Sequence, residues 1–283
     1  MSLRDRFSFA REVWREFGKD NGFLLAAAVS FYAFLSLFPL LLLAAGVLGY
    51  ALGSPEHAAA VLMRFVGKLV VGPRAQAIVR EVIQGRSAAA GIGLVVLLWS
   101  ATSAIVVLEQ AVNLAWDASR RRGYVKRRAM ALLTLAVVGV LAALSFGATA
   151  LIHAAGASDA AILSSVRGAT RLLTYCVPAL ASVALFTMIY KLLPYERVAW
   201  RAALVGGVFA GLMWEAAKHV FTFYVIHWSG YNRVYGSLAS VILLMLWIDY
   251  SAIIAILGAE LASVWSERRR STAASSCGKR TTT

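Results

Sequence analysis

The feature that most constrains this chain is the repeated occurrence of apolar runs long enough to cross a lipid bilayer. A helix needs about 20 mostly apolar residues to span the hydrocarbon core. Such runs lie at about 23–53, 89–112, 129–153, 172–193, 201–226 and 236–264. Charged residues make up 15% of the 283 residues, against about 25% in soluble globular domains. The sequence therefore predicts an all-α, polytopic integral membrane protein with a six-transmembrane-helix bundle over 23–264.

Two segments around the first span have amphipathic rather than fully apolar patterns. In 1–22, one helical face is apolar and the other is charged. The apolar face carries Phe7, Ala10, Val13, Trp14 and Phe17. Such a helix can lie in the membrane interface or pack on the protein's own cytoplasmic face. The connection 54–88 has two apolar stripes separated at Gly72-Pro73, and we expect amphipathic helices there too.

The distribution of Lys and Arg predicts the orientation in the membrane. The segments 1–22, 113–128 and 191–201 and the tail 265–283 together hold 19 of these residues, and the connections on the other side hold 8. Because Lys and Arg accumulate in cytoplasmic loops, both termini are predicted to be cytoplasmic. The tail 265–283 is small, polar and basic, and is predicted to be disordered.

Few ionisable residues lie within the predicted spans. Glu215 falls near the middle of the fifth span and Asp249 near the middle of the sixth, whereas Glu109 and Glu260 lie near cytoplasmic ends. A charge at the bilayer centre costs about 2.5 kcal/mol or more, so such residues usually face the bundle interior and mark function. Glu109 and Glu260 are interpreted as interfacial, where a carboxylate reaches cytoplasmic water or a loop arginine.

Helical spacing groups three of the ionisable residues. Glu215, Lys218 and His219 are spaced i, i+3, i+4 and share one face; we call this face the polar seam. The short connection 227–235 predicts antiparallel packing of the fifth and sixth spans, which would bring Asp249 to the depth of Glu215. The sequence thus predicts a polar cluster of Glu215, Lys218, His219 and Asp249. It serves either substrate passage or, as a buried ion pair, helix register.

Small residues and prolines form a second pattern within the spans. Helix packing is predicted at two GxxxG pairs, and helix kinks at two prolines. These residues are Gly49, Gly53, Gly207, Gly211, Pro39 and Pro178.

Other classes of function find little support in the residues. The histidines are His57, His153, His219 and His227, and their spacing matches no metal-ligand pattern. Two cysteines, Cys176 and Cys277, indicate no disulfide framework. We expect no cofactor and no metal. The basic loop 119–128 is interpreted as an orientation signal that contacts anionic lipid headgroups, and nucleic acid is not expected as a partner.

Several stretches resemble the YihY/BrkB family of bacterial inner-membrane proteins, historically mislabelled ribonuclease BN. The matching stretches cover most of the apolar chain. They are AAAVSFYAFLSLFPLLLL (26–43), LWSATSAIVVLEQAVNLAWD (98–117), LPYERVAWRAALVGGVFAGLMWEAAKHVFTFYV (193–225) and YGSLASVILLMLWIDYSAIIAILGAELASV (235–264). The family's W-E-x-A-K pattern matches Trp214 to Lys218, and its G-A-E-L pattern matches Gly258 to Leu261. Asp249 falls where the family pattern is usually uncharged.

The resemblance implies six spans, cytoplasmic termini and a place in the bacterial inner (plasma) membrane. It does not imply a settled activity; transport of a lipid or lipid-linked molecule is the usual suspicion. The function predicted here is a transporter or flippase-like protein that moves an unknown small or lipid substrate. The alternative is a structural or scaffolding protein of the cell envelope. An enzyme, and a ribonuclease in particular, is disfavoured because no cluster of acids and histidines accompanies the basic loops.

Overall fold

The described part of the chain is helical. The computed structural model describes residues 3–51, 88–118, 123–134, 136–137, 167–227 and 239–278, and no strand occurs in these ranges. The helices are α1 (Leu3–Lys19), α2 (Gly22–Ala51), α3 (Ala88–Ala115), α4 (124–134), α5 (Arg167–Leu192), α6 (Trp200–His227) and α7 (Ala239–Gly278). The all-α class is therefore confirmed for the described ranges.

Four helices correspond closely to predicted apolar runs. α2, α3, α5 and α6 begin and end within a few residues of the runs at 23–53, 89–112, 172–193 and 201–226. The run at 129–153 is described only in its first residues, and the predicted amphipathic helices between the first two spans lie outside the described residues, as does Gly53. Val241–Thr272 is the one helical stretch, among the residues searched, that is long and apolar enough to cross a membrane. The number of spans stays a prediction.

The end of α7 differs from the sequence expectation. The sequence predicted a disordered tail from residue 265, but α7 continues to Gly278, so that prediction is wrong for 265–278. Arg268 explains part of the difference. Its Nε donates to Glu12 Oε2 at 2.8 Å, and its guanidinium lies 5.2 Å from the centre of the Phe9 ring. The extension of α7 therefore packs against α1.

Contacts divide the chain into two units. The first unit comprises Met1–Leu25, Leu108–His219 and Ile253–Thr283, and the second comprises Ala26–Val107 and Val220–Ala252. The core of the first unit contains residues from α1, α3, α5, α6 and α7 that are almost completely buried: Phe17, Val112, Tyr190, Ala203, Ala210, Ile256 and Ala259.

Within the first unit, glycines bring helices into backbone contact. A Cβ atom on Gly206 of α6 would lie 2.6 Å from the carbonyl oxygen of Gly258 on α7. On another face of α6, a Cβ atom on Gly207 would lie 2.8 Å from Thr187 N, and one on Gly211 2.6 Å from Val183 Cγ2. Larger side chains at these glycines would separate α6 from α5 and α7.

The proline positions lie inside continuous helices. Pro178 falls within α5, and position 39 falls within the helical backbone of α2, as does Gly49. The helix continues on both sides of each proline position, so neither proline ends its helix.

A tight turn joins α1 to α2. Asn21 has a positive φ of 54°, and a Cβ atom on Gly22 would lie 2.6 Å from Phe17 Cζ. The Phe17 ring is fully buried and packs edge-on against Phe23, with ring centres 4.9 Å apart. On the predicted apolar face of α1, Phe17 near the turn therefore packs on the protein itself, whereas Phe7 and Trp14 are exposed.

Candidate functional site

The polar seam on α6 is built around an ion pair. Lys218 Nζ donates to Glu215 Oε1 at 2.8 Å, one helical turn away. Ser182 Oγ, on α5, donates to the same oxygen at 2.7 Å. The side chains of Glu215 and Lys218 are 19% and 36% exposed, so both are partly buried. The structure therefore brings Glu215 and Lys218 together and adds Ser182, which the sequence analysis did not single out.

The ion pair lies on a helix whose other faces are apolar. Exposed large hydrophobic residues on α6 occur on both sides of it along the chain: Leu204, Val208, Leu212, Met213, Val220 and Phe223. Trp214, next to Glu215, packs edge-on against Phe186 of α5 with ring centres 5.8 Å apart. A charge pair in such surroundings needs internal partners, because hydrocarbon cannot solvate it.

The other two members of the predicted polar cluster have different surroundings. His219 is exposed. Asp249 belongs to the second unit, where the Ser30 hydroxyl lies 3.1 Å from Asp249 Oδ1 and 2.8 Å from the carbonyl oxygen of Ala26. The Ser30 hydroxyl carries one hydrogen, so it donates to only one of these two oxygens at a time. A serine of α2 is thus the partner of Asp249, and sequence reasoning, which paired Asp249 with α6, missed it.

Glu109 is almost completely buried near the end of α3. Its side chain is 2% exposed, and Arg127 Nε from α4 lies 3.4 Å from its Oε2. Arg127 comes from the basic loop 119–128, whose arginines were expected to contact lipid headgroups. This arginine lies against a buried acid.

Asn113 joins the end of α3 to the segment after α5. Its Nδ2 donates to the carbonyl oxygen of Leu193 at 3.3 Å, and its Oδ1 accepts from the amide of Tyr195 at 2.6 Å. Sequence reasoning did not select Asn113, although an amide within an apolar run is a detectable signal.

Glu260 of α7 is almost completely buried. Its side chain is 1% exposed, and no described residue hydrogen-bonds to its Oε1. Burial raises the pKa of Asp20; the Lys19 charge opposes this, and the charges of Asp117 and Glu16 add to it. Glu16 behaves oppositely, because hydrogen bonds from Lys19 and Arg15 lower its pKa.

Polar side chains of the described residues meet mainly in pairs. No group of three or more His, Cys, Asp or Glu side chains within the described ranges could hold a metal ion. The pairs are Glu215 with Lys218, Glu109 with Arg127, and Asp249 with Ser30.

Comparison with known proteins shows the family. The sequence profile described as "Virulence factor BrkB" matches residues 13–281, so the chain belongs to the BrkB family of membrane proteins. A "UPF0761 membrane protein" of Tolumonas auensis is 28% identical over 94% of this chain and 87% of its own length. Another, from Azotobacter vinelandii, is 32% identical over 95% of this chain and 66% of its own length.

A third relative carries a different name. The ribonuclease-like protein YfkH of Bacillus subtilis is 25% identical over 93% of this chain and 97% of its own length. No solved structure matches the chain significantly.

Proposed function

We propose that this protein is a multi-pass transporter or flippase-like protein of the bacterial inner membrane, with six spans and cytoplasmic termini. Its substrate is a lipid, a lipid-linked molecule or another small molecule that moves along the polar seam of α6. The observation that carries the proposal is the Glu215–Lys218 pair, which is partly buried on the otherwise apolar helix α6. Ser182 of α5 donates a hydrogen bond to Glu215 of this pair. Charged groups within spans commonly mark substrate or ion pathways.

Contacts between the basic segments support the orientation in this proposal. Asn113 links the predicted cytoplasmic loop 113–128 to the predicted cytoplasmic segment 191–201. Arg268 links the C-terminal extension to Glu12 in the N-terminal helix. Segments that contact one another lie on the same side of a membrane, as the distribution of Lys and Arg requires.

The chemistry of the seam favours an anionic substrate group. Lys218 is the charged donor of the pair, and a partly exposed ammonium bordered by apolar side chains attracts a phosphate oxygen more strongly than it would in bulk water. Apolar residues on either side of the pair would accommodate acyl chains. We therefore place an anionic headgroup near Lys218, and we include no enzymatic step, no cofactor and no nucleic acid in the proposed function.

A scaffolding role in the cell envelope is the second candidate, and one observation favours it. Gly207 and Gly211 hold α6 in backbone contact with α5, about two turns and about one turn before Glu215. Closely packed helices suit a static support, in which the ion pair would only fix the register of α5 and α6.

A lipid-scrambling assay separates the two candidates. The purified protein is reconstituted in vesicles of phosphatidylethanolamine and phosphatidylglycerol that contain a fluorescent phosphatidylglycerol. We expect the wild type to move the fluorescent lipid between leaflets, and both Glu215→Gln and Lys218→Met to slow this by at least about tenfold, equivalent to about 1.4 kcal/mol.

The double variant Glu215→Gln/Lys218→Met is the matched control, because it removes both charges and leaves no unpaired charge behind. If transport uses the charges, the folded double variant is as slow as the single variants. If the pair only fixes helix register, the double variant scrambles like the wild type. Equal rates in all four proteins would exclude the assigned roles, and no scrambling by the wild type would favour the scaffold.

A further inference from the structure

The exposed side of α1 carries an apolar stripe. Phe7, Ala10 and Trp14 are spaced three and four residues apart, so they lie on one side of the helix. Phe7 is 75% exposed and Trp14 is 58% exposed, and Ala10 is exposed as well. The buried residues Val13 and Phe17 lie on a neighbouring face. The single apolar face predicted for α1 is therefore two faces, one buried in the first unit and one exposed.

Aromatic contacts hold the Trp14 side chain in place. Its ring stacks on the buried Phe17 ring with ring centres 5.8 Å apart, and it packs edge-on against Phe23 with ring centres 6.0 Å apart. Phe23 and Leu24 lie in the first turn of α2 and are exposed. The exposed apolar surface of α1 thus continues across the turn to the start of α2, the first predicted span. A tryptophan at the end of a span is typical of the membrane–water interface.

Basic side chains border the stripe. Arg4, Arg11 and Arg15 are exposed, and they lie about 60–100° around the helix from Trp14, at about 100° per residue. Arg15 also forms an ion pair with Glu16. Long arginine side chains beside an apolar face place their charge at the level of lipid headgroups while their stems cover apolar surface. This border suits an anionic surface.

The acids of α1 lie on the opposite side of the helix. Asp5, Glu12 and Glu16 are about 160–200° from Trp14 around the helix. Glu12 accepts a hydrogen bond of 2.8 Å from Arg268 Nε of the α7 extension. α1 thus presents apolar and basic side chains on one side, and its acids together with the α7 extension on the other.

This charge pattern favours a lipid surface over a second copy of the chain. Two copies joined through the stripe would bring their arginine borders together, and like charges across an interface oppose association. An anionic bilayer surface attracts the same arginines, and its interface accommodates the Phe7 and Trp14 rings. In a family of membrane proteins, a stripe beside the start of an apolar helix lies next to such a surface.

We propose that the stripe of α1, with Arg4 and Arg11 beside it, is a binding surface for anionic phospholipids. α1 lies along the membrane interface, with the Phe7 and Trp14 rings at the level of the upper acyl chains and the arginines at the phosphate groups. Because the opposite side of α1 holds the α7 extension, lipid binding also keeps that extension at the membrane surface. The surface is separate from the polar seam, and the proposal stands whether or not the protein transports a substrate.

Spin labels on two sides of α1 test the position of the helix. The full-length protein carries a single cysteine, at Ala10→Cys on the stripe or at Asp5→Cys on the exposed opposite side, with Cys176→Ala and Cys277→Ser removing the native thiols. It is reconstituted in vesicles of phosphatidylethanolamine and phosphatidylglycerol. We expect the label at position 10 to collide more with oxygen, which concentrates in hydrocarbon, than with a water-soluble nickel chelate. The label at position 5 should show the reverse.

Two outcomes at position 10 would overturn the proposal. Frequent collision with the nickel chelate at both labelled positions would place the stripe in water. Protection of position 10 from both reagents, growing with the protein-to-lipid ratio, would show that a second copy covers the stripe. Neither measurement depends on flux, so failure of this proposal is distinguishable from failure of the proposed function.

Charge variants test the choice of an anionic lipid. In the protein labelled at position 10, Arg4→Gln/Arg11→Gln should weaken the interfacial position by up to about thirtyfold, since each arginine near an anionic surface contributes a factor of about five. The label should then shift towards water, as it should when phosphatidylcholine replaces phosphatidylglycerol. Arg269→Gln/Arg270→Gln is the matched control, because it removes the same charge from exposed arginines of α7, and it should leave the label in place. Equal depth in both variants and both lipid mixtures would show that the stripe binds no anionic headgroup.

Discussion

Two residues make the sharp change of direction between α1 and α2 possible. Asn21 adopts a left-handed conformation, which asparagine tolerates better than most residues. Gly22 lies against the Phe17 ring, where a side chain has no room. The Asn-Gly pair is a recognised turn signal, so its position is readable from the sequence, but the ring that excludes a side chain is not.

The two glycines of this region should respond oppositely to alanine. Gly22→Ala places a methyl group against the buried Phe17 ring and should lower the free energy of unfolding by about 1–3 kcal/mol. Gly18→Ala meets no atom within 4 Å, and should stabilise α1 by up to about 1 kcal/mol. Thermal unfolding in detergent measures both. Equal effects of the two substitutions would contradict the packing of Phe17 on Gly22.

At the scale of elements, the C-terminal part of α7 depends on α1. Arg268 combines its ion pair to Glu12 with a contact to the Phe9 ring, and the hydroxyls of Ser271 and Thr272 bond to its carbonyl oxygen at 2.8 Å each. The hydrogen bonds from Ser271 and Thr272 lie within α7, whereas Glu12 and Phe9 of α1 lie more than 250 residues away in sequence. A polar, basic composition alone predicts disorder here, because it does not reveal such a partner.

Arg268→Ala should loosen the C-terminal extension. We expect faster proteolysis within 265–278 and a coupling energy to Glu12→Ala of up to about 1 kcal/mol in a double-mutant cycle, the upper range for a partly exposed ion pair. Arg269→Ala is the matched control, since Arg269 lies over Trp265 of its own helix. Its protease sensitivity should match the wild type. Additive effects of Arg268→Ala and Glu12→Ala would show that the contact contributes nothing.

At the scale of the whole molecule, the distribution of basic segments predicts which way the helices cross the membrane. Positive charge is concentrated in the N-terminal segment, the loop 113–128, the segment 191–201 and the tail. Part of this charge is also used in packing, since Arg127 approaches the buried Glu109 and Lys191 Nζ donates to the carbonyl oxygen of Val198 at 2.5 Å. The same residues that favour a cytoplasmic location thus connect helix ends.

Reporter fusions test the proposed topology. A fluorescent protein fused after residue 283 should be fluorescent, and alkaline phosphatase at the same site should be inactive, because both termini are predicted to be cytoplasmic. Fusions in the connection 227–235 should show the reverse pattern. Active phosphatase at the C-terminus would exclude an even number of spans with a cytoplasmic N-terminus.

Much of the helical framework was predictable because it depends on local properties. Apolar runs located α2, α3, α5 and α6 to within a few residues, since the length and periodicity of a run belong to one segment. The spacing of Glu215 and Lys218 placed them on one face for the same reason. Membership of the BrkB family also follows from the sequence, as the profile match over 13–281 shows.

The partners of most polar groups were decided only by the tertiary structure. Ser182, the partner of Glu215, and Ser30, the partner of Asp249, come from helices distant in sequence. Periodicity identifies the face on which a side chain lies, but it does not identify the helix that packs there. The sequence by itself determined the helices and their charged faces; the packing of those helices decided which charges meet, because each pairing depends on the depth and rotation of two separate elements.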